Sequence, residues 1–197
     1  MYKVFPIRND AACVFKWGWN TFRLYNGKSS SCHRVEPVFV PLDQMANFHN
    51  TAEVLNDRQL MLNNEWPTGR GCEYCREVER AGGISDRQYH NNIPGLTPVD
   101  FDADAGTLSV TPRVLEIYLN NTCDLACVYC LPHFSSKIND ELNRYGPLPG
   151  TKVVNLTRHT DHRQYFEHLL KWLGENSSKL VRLSVQGGEP FLQREFF

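Results

Sequence analysis

Residues 113–186 carry a strand–helix–strand pattern, and this narrows the fold more than any other feature. From Val114 to Leu119, Leu115, Ile117 and Leu119 alternate with Glu116 and Tyr118, the period of a strand with one buried face. Around residues 160–173, Phe166, Leu169, Leu170 and Leu173 fall at i, i+3, i+4 and i+7, one face of a helix. Thr160 or Asp161 is placed to cap its start, and Gly174 to end it. Val181, Leu183 and Val185 then alternate as a second strand. Two strands joined by a crossover helix pair in parallel. The loops at the C-terminal ends of parallel strands are where α/β folds put their chemistry. Each of these two strands is followed directly by a motif.

Cysteine is the compositional outlier. Seven occur in 197 residues, at 13, 32, 72, 75, 123, 127 and 130. The number is odd, and Met1–Pro6 runs into polar Arg8-Asn9-Asp10 rather than an apolar signal-like stretch. A disulfide framework is therefore not expected; clustered thiols in a reducing cytoplasm, the expected location, serve metals or redox chemistry. A net charge of −1 gives no bulk electrostatic grip on nucleic acid or an anionic membrane. No apolar run approaches the roughly 20 residues that span a bilayer. The cysteines divide into four early and three late ones. Four thiolates close a metal site, whereas three leave a coordination position open.

The late set lies in Asn120-Asn121-Thr122-Cys123-Asp124-Leu125-Ala126-Cys127-Val128-Tyr129-Cys130, with spacing C-x₃-C-x₂-C. A compact loop of this kind points three thiolates at one cubane and leaves the fourth iron without a protein ligand. Three cysteines also suit half of a zinc site completed by His133, or small buried apolar groups. The spacing, with aromatic Tyr129 before the last cysteine, resembles the motif of the radical S-adenosylmethionine (SAM) superfamily. The resemblance implies a [4Fe–4S] cluster on Cys123, Cys127 and Cys130. Its open iron would bind the amino and carboxylate groups of SAM. Reductive cleavage would then give a 5′-deoxyadenosyl radical that abstracts hydrogen from a substrate. It also implies an electron donor such as a flavodoxin or ferredoxin. His133 is read as a surface group, and His159, His162 and His168 as solvated.

Gln186-Gly187-Gly188-Glu189-Pro190 follows the second strand. Taken alone it is an ordinary strand-to-helix turn, since glycine permits positive φ and proline starts helices. One crossover after the cysteine loop, it is similar to the family's GGEP motif. Gly187, Gly188, Glu189 and Pro190 are then expected to help hold the methionine amino group of SAM.

Residues 1–92 are rich in aromatics and turn residues. Trp17, Trp19, Phe22 and Tyr25 precede the turn Asn26-Gly27 and suggest a hairpin. One helix is expected over about Thr51–Asn63, and another from near Cys72 to Gly82-Gly83. Cys72-x₂-Cys75 at a helix start has thiolates favoured by the helix dipole. Cys13 and Cys32 bracket the hairpin and supply a second pair. With Asn63-Asn64-Glu65-Trp66-Pro67, Glu79, Gly82-Gly83 and Ser85-Asp86-Arg87, the pattern resembles the SPASM/twitch modules of radical SAM enzymes. These bind an auxiliary [4Fe–4S] cluster; a structural zinc ion satisfies the same four thiols, and a site without metal is a third reading. SPASM/twitch modules are best known after the catalytic core, whereas this one precedes it.

The expected organisation is a twitch-like cysteine-rich module over 1–92, a Pro/Gly-rich linker over 93–112, and a core over 113–197. The expected fold class is α/β: the start of a partial (β/α)₆ radical SAM barrel, preceded by a small irregular α+β module. A βα unit needs about 30 residues, so the later units lie beyond Phe197 and this length alone is expected to cleave little SAM. The substrate is unassigned; a peptide is suggested only by analogy with SPASM/twitch enzymes. The rival readings are a non-catalytic iron–sulfur protein and a zinc-stabilised interaction module.

Overall fold

A computed structural model describes residues 3–147, 149–150 and 161–194. Among these, five strands form one open mixed sheet in a mixed α/β architecture: β1 (Trp19–Arg23), β2 (Lys28–Ser30), β3 (Val38–Phe39), β4 (Val114–Tyr118) and β5 (Arg182–Gln186). Their order across the sheet is β3-β2-β1-β4-β5. The expected parallel pair is present, with β4 and β5 in register from Val114↔Arg182 to Tyr118↔Gln186. The hairpin at Asn26-Gly27 is β1–β2. Gly27 adopts φ +64°, and a Cβ there would lie 2.7 Å from the Tyr165 ring. That ring sits so close because its hydroxyl donates to the Val40 carbonyl at 2.7 Å.

β1 comes from the residues expected to form a separate module, yet it is the neighbour of β4. The two pair in parallel from Trp19↔Val114 to Arg23↔Tyr118. The sheet therefore runs through both regions, and residues 93–112, without a helix or strand of their own, lead into its strand β4. Alternation explains the match: Phe22, Leu115 and Ile117 face one side and are buried.

Six helices accompany the sheet in the described residues: α1 (Phe15–Gly18), α2 (Ala52–Leu62), α3 (Glu73–Arg80), α4 (Asp86–Asn91), α5 (Ser136–Tyr145) and α6 (His162–Asn176). Thr51 caps α2 by accepting from the Val54 N–H. α3 ends at Arg80 and Gly82 follows with φ +79°, the left-handed residue that commonly closes a helix. α4 was not expected, although Ser85 and Gln88 form a capping box around its first turn. α5 was not expected either; Ser135 caps it through the Ile138 N–H, and Leu142 is its buried residue.

α6 corrects two expectations. It continues through Gly174 to Asn176, because its packed face holds the helix past a residue that costs only about 1 kcal/mol there. The buried face is Tyr165, Leu169 and Trp172, with Phe166 and Leu173 packed against it, and of the four expected positions Leu170 alone is half exposed. Large aromatics at 165 and 172 fill the space over the sheet and rotate Leu170 outward. Trp172 packs edge-on against Phe48 with ring centroids 5.1 Å apart. Thr160 lies outside the described residues, and Asp161 stands at the N-cap.

The opposite face of the sheet is polar. Glu116 is buried at its centre. Its Oε2 accepts from Thr21 Oγ1 at 3.1 Å and lies 3.0 Å from His33 Nε2. Its Oε1 accepts from Gln186 Nε2 at 3.3 Å. Arg182 stands 3.8 Å away, with its guanidinium 4.4 Å over the Trp19 ring. Burial pushes the pKa of Glu116 up, but His33, Thr21 and Arg182 outweigh it and hold the carboxyl below its usual range.

Trp172→Ala is expected to lower unfolding stability by about 3–5 kcal/mol, whereas Leu170→Ala stays within about 0.5 kcal/mol. Urea denaturation of the two variants reads the difference. Equal losses would contradict the observed orientation of α6.

Candidate metal centres

The loop after β4 is stapled at both ends by side chains the cysteine spacing leaves free. Asn120 Oδ1 accepts from the Thr122 N–H at 2.6 Å. Ser136 Oγ accepts from the Cys123 N–H at 3.0 Å and donates to the Cys123 carbonyl at 3.1 Å. Ser135 Oγ donates to the Leu125 carbonyl at 2.8 Å. Within the loop the Cys130 N–H donates to the Cys127 carbonyl at 2.9 Å, a tight turn that keeps these two residues on one side. The Cys123 sulfur accepts from the Leu125 N–H at 3.4 Å. All three thiols are partly exposed. The Tyr129 ring stands in solvent; a hydrogen bond to Cys127, then the charges of Cys127 and Cys130, push its hydroxyl up. His133 is exposed, as expected of a surface residue.

The Gly187–Pro190 segment lies against this loop. The Gly188 N–H donates to the Phe134 carbonyl at 3.0 Å, and the Glu189 N–H to the Thr122 carbonyl at 2.9 Å. Gln193 Nε2 donates to the same Thr122 carbonyl at 2.9 Å. Both glycines have positive φ, +88° and +57°. A Cβ on Gly187 would meet the Asn120 carbonyl oxygen at 2.7 Å, and one on Gly188 the Thr122 carbonyl oxygen at 2.1 Å. The glycines thus serve first to admit the backbone of the cysteine loop. The Glu189 carboxylate accepts from the Phe191 N–H at 3.1 Å, capping a single turn that opens with Pro190.

The early cysteines also converge. Cys13, Cys32, Cys72 and Cys75 line one cavity of about 20 Å³, together with Lys16 and Trp66. Cys13, Cys72 and Cys75 are buried, and Cys32 is partly so. Burial pushes the thiols of Cys13 and Cys32 up, and that of Cys72 up to about 11. This corrects the expectation that the helix start favours a thiolate at Cys72: it stands at the N-cap of α3, but burial is the largest cause of its shift. The donor set is that of a tetrathiolate centre. Among the described residues, no three His, Cys, Asp or Glu side chains converge on a single ion position.

His162, expected to be solvated, is buried, with Nε2 3.4 Å from the Leu119 carbonyl at the end of β4. The helix start brings it under the sheet. His168 is exposed, and His159 lies outside the described residues. Buried Lys16 and Asp57, near the four-cysteine cavity, had drawn no notice in the sequence, and Glu116, read there only as a polar position in the alternation, is buried too. Lys16, set among Phe15, Trp17 and Trp19, was legible as a charge inside an apolar run.

No protein-family model, no curated protein and no solved structure matches this chain. The described residues contain no helix long and apolar enough to cross a membrane.

Two outcomes follow from the geometry. Gly188→Ala is expected to cost about 1–3 kcal/mol and to reduce iron retained by the late cysteines, whereas Gly82→Ala, with open space around its Cβ, costs about 1 kcal/mol or less. Iron content after anaerobic reconstitution, beside a denaturation curve, reads both. After chelation under reducing conditions at pH 7, iodoacetamide is expected to label Cys123, Cys127 and Cys130 before Cys13, Cys32 and Cys72, because burial holds the latter as thiols. Peptide mass spectrometry gives the order; equal rates would contradict the burial.

Proposed function

We propose that this chain belongs to a radical SAM enzyme, with a partial (β/α) barrel beginning at β4 and a twitch-like four-cysteine centre built against it. The observation that carries the reading is the interlock of the two motif loops. They meet at the C-terminal ends of adjacent parallel strands, with Thr122 accepting from both Glu189 and Gln193. A zinc module or a simple electron carrier has no need of a Gly-Gly-Glu-Pro turn clamped onto its cysteine loop.

In this reading Cys123, Cys127 and Cys130 hold a [4Fe–4S] cluster whose open iron takes SAM. Such a cluster would supply one-electron reducing chemistry toward the sulfonium of SAM, drawing on a flavodoxin- or ferredoxin-like donor. Tyr129 packs beside two of the thiols. Gly187 and Gly188 bring their strand end onto the cluster loop, and Glu189 and Pro190 fix the turn facing the methionine amino group. The substrate is in the class of peptides by analogy. A second reading, a non-catalytic metal-binding protein, is favoured by one contrast: the four-cysteine set is enclosed, whereas the three-cysteine loop is exposed.

Anaerobically reconstituted protein, reduced with dithionite, is expected to show a [4Fe–4S] EPR signal that changes on addition of SAM. Cys123→Ala, Cys127→Ala and Cys130→Ala should each abolish the SAM-sensitive signal and leave a second, SAM-insensitive one. A signal indifferent to SAM in the parent protein would favour the non-catalytic reading.

A further inference from the structure

Lys16 is a buried cation that neither motif uses. Its side chain is 1% exposed and lines the cavity shared by Cys13, Cys32, Cys72 and Cys75. Its backbone N–H donates to the Cys13 carbonyl at 3.0 Å, which fixes α1 beside that cysteine. Its Nζ lies 2.6 Å from Asp57 Oδ2, and Arg70 Nε reaches the same oxygen at 3.4 Å. Asp57 is equally buried, and its Oδ1 accepts no hydrogen bond among the described residues. Two cations thus share one carboxylate, leaving one positive charge in excess beside the four thiols. The other charges on the cavity wall are paired: Arg34 with Asp86 at 3.2 Å, and Arg87 with Glu79 at 2.5 Å.

An interior positive charge is retained where a negative group offsets its lost hydration. A tetrathiolate centre is such a group. Four thiolates around a cubane of charge 2+ carry a net −2, and one electron from an external reductant takes the assembly to −3. We propose that Lys16 is the charge-compensating residue of the four-cysteine centre, raising its reduction potential by stabilising the more negative reduced state, with Asp57 as the opposing charge. The proposal rests on the reading of that centre as an iron–sulfur site. Lys16 acts through its fixed charge, as a positioning and tuning residue rather than a ligand.

The test uses the full chain carrying Cys123→Ala, Cys127→Ala and Cys130→Ala, so that one centre remains. EPR-monitored redox titration then compares Lys16→Met, Asp57→Asn, Lys16→Arg and the Lys16→Met/Asp57→Asn pair. Lys16→Met should lower the reduced-to-oxidised ratio at a given potential about tenfold, a shift of ~59 mV downward for one electron. Asp57→Asn should move it upward by a similar amount, and the double variant should return close to the parent. Lys16→Arg, which keeps the charge, should stay within about twofold. A purely structural role predicts losses of cluster in both single variants, without opposed shifts. Shifts of the same sign, or none, in variants that retain iron would overturn the proposal. A parent protein that holds zinc or no metal in this centre would overturn the iron–sulfur reading and the proposal together.

Discussion

The arrangement depends on the register of β4 and β5. Tyr118 and Gln186 are the last paired residues of the two strands, and they stand directly opposite one another. Both motif loops therefore leave the sheet at the same level. The Leu119 N–H still reaches the Gln186 carbonyl at 3.2 Å, which extends the ladder to the base of the loops. A one-residue slip would turn Leu115 and Ile117 to the polar face and carry the Gly187–Pro190 turn away from Thr122. The apolar face against α6 penalises such a slip, so core packing secures the relation between the two motifs.

The same logic ties the early cysteines to the core. Trp19 and Phe22 lie on β1, the central strand, so α1 and its neighbour Cys13 stand at the N-terminal end of that strand, beside β4. His33, next to Cys32, reaches across to Glu116 at the centre of β4. The four-cysteine cavity is consequently not a free-standing knot. Buried thiols at Cys13 and Cys72 resist ionisation, and the chain answers with a buried ammonium at Lys16 rather than with solvent. This balance of desolvation and fixed charge suits a centre that must hold several negative charges in a dry environment.

Much of this was legible in the sequence because it is encoded locally. Alternation at 114–119 and 181–185 marked both core strands, the spacing at 123–130 and 186–190 marked both loops, and Asn26-Gly27 marked the hairpin. What was not legible is long-range or quantitative. The partnership of β1 with β4 joins residues nearly a hundred positions apart, and nothing in Trp19–Arg23 specifies its neighbour. On α6 the position misjudged was Leu170, because the i, i+3, i+4, i+7 count overlooks how Tyr165 and Trp172 fill space. The acidity of Cys72 was misjudged because a helix dipole is visible in a sequence and burial is not. α4 is different, since its Ser85–Gln88 capping box was present to be read.

The central claim is that Cys123, Cys127 and Cys130 hold a cluster whose remaining iron binds SAM beside the Gly187–Pro190 turn. The most direct measurement is electron–nuclear double resonance on the reduced, reconstituted protein with SAM labelled with ¹⁵N at its amino group and ¹⁷O at its carboxylate. The account predicts hyperfine coupling of both labels to the cluster. A cluster that shows no coupling to either label at saturating SAM would contradict it.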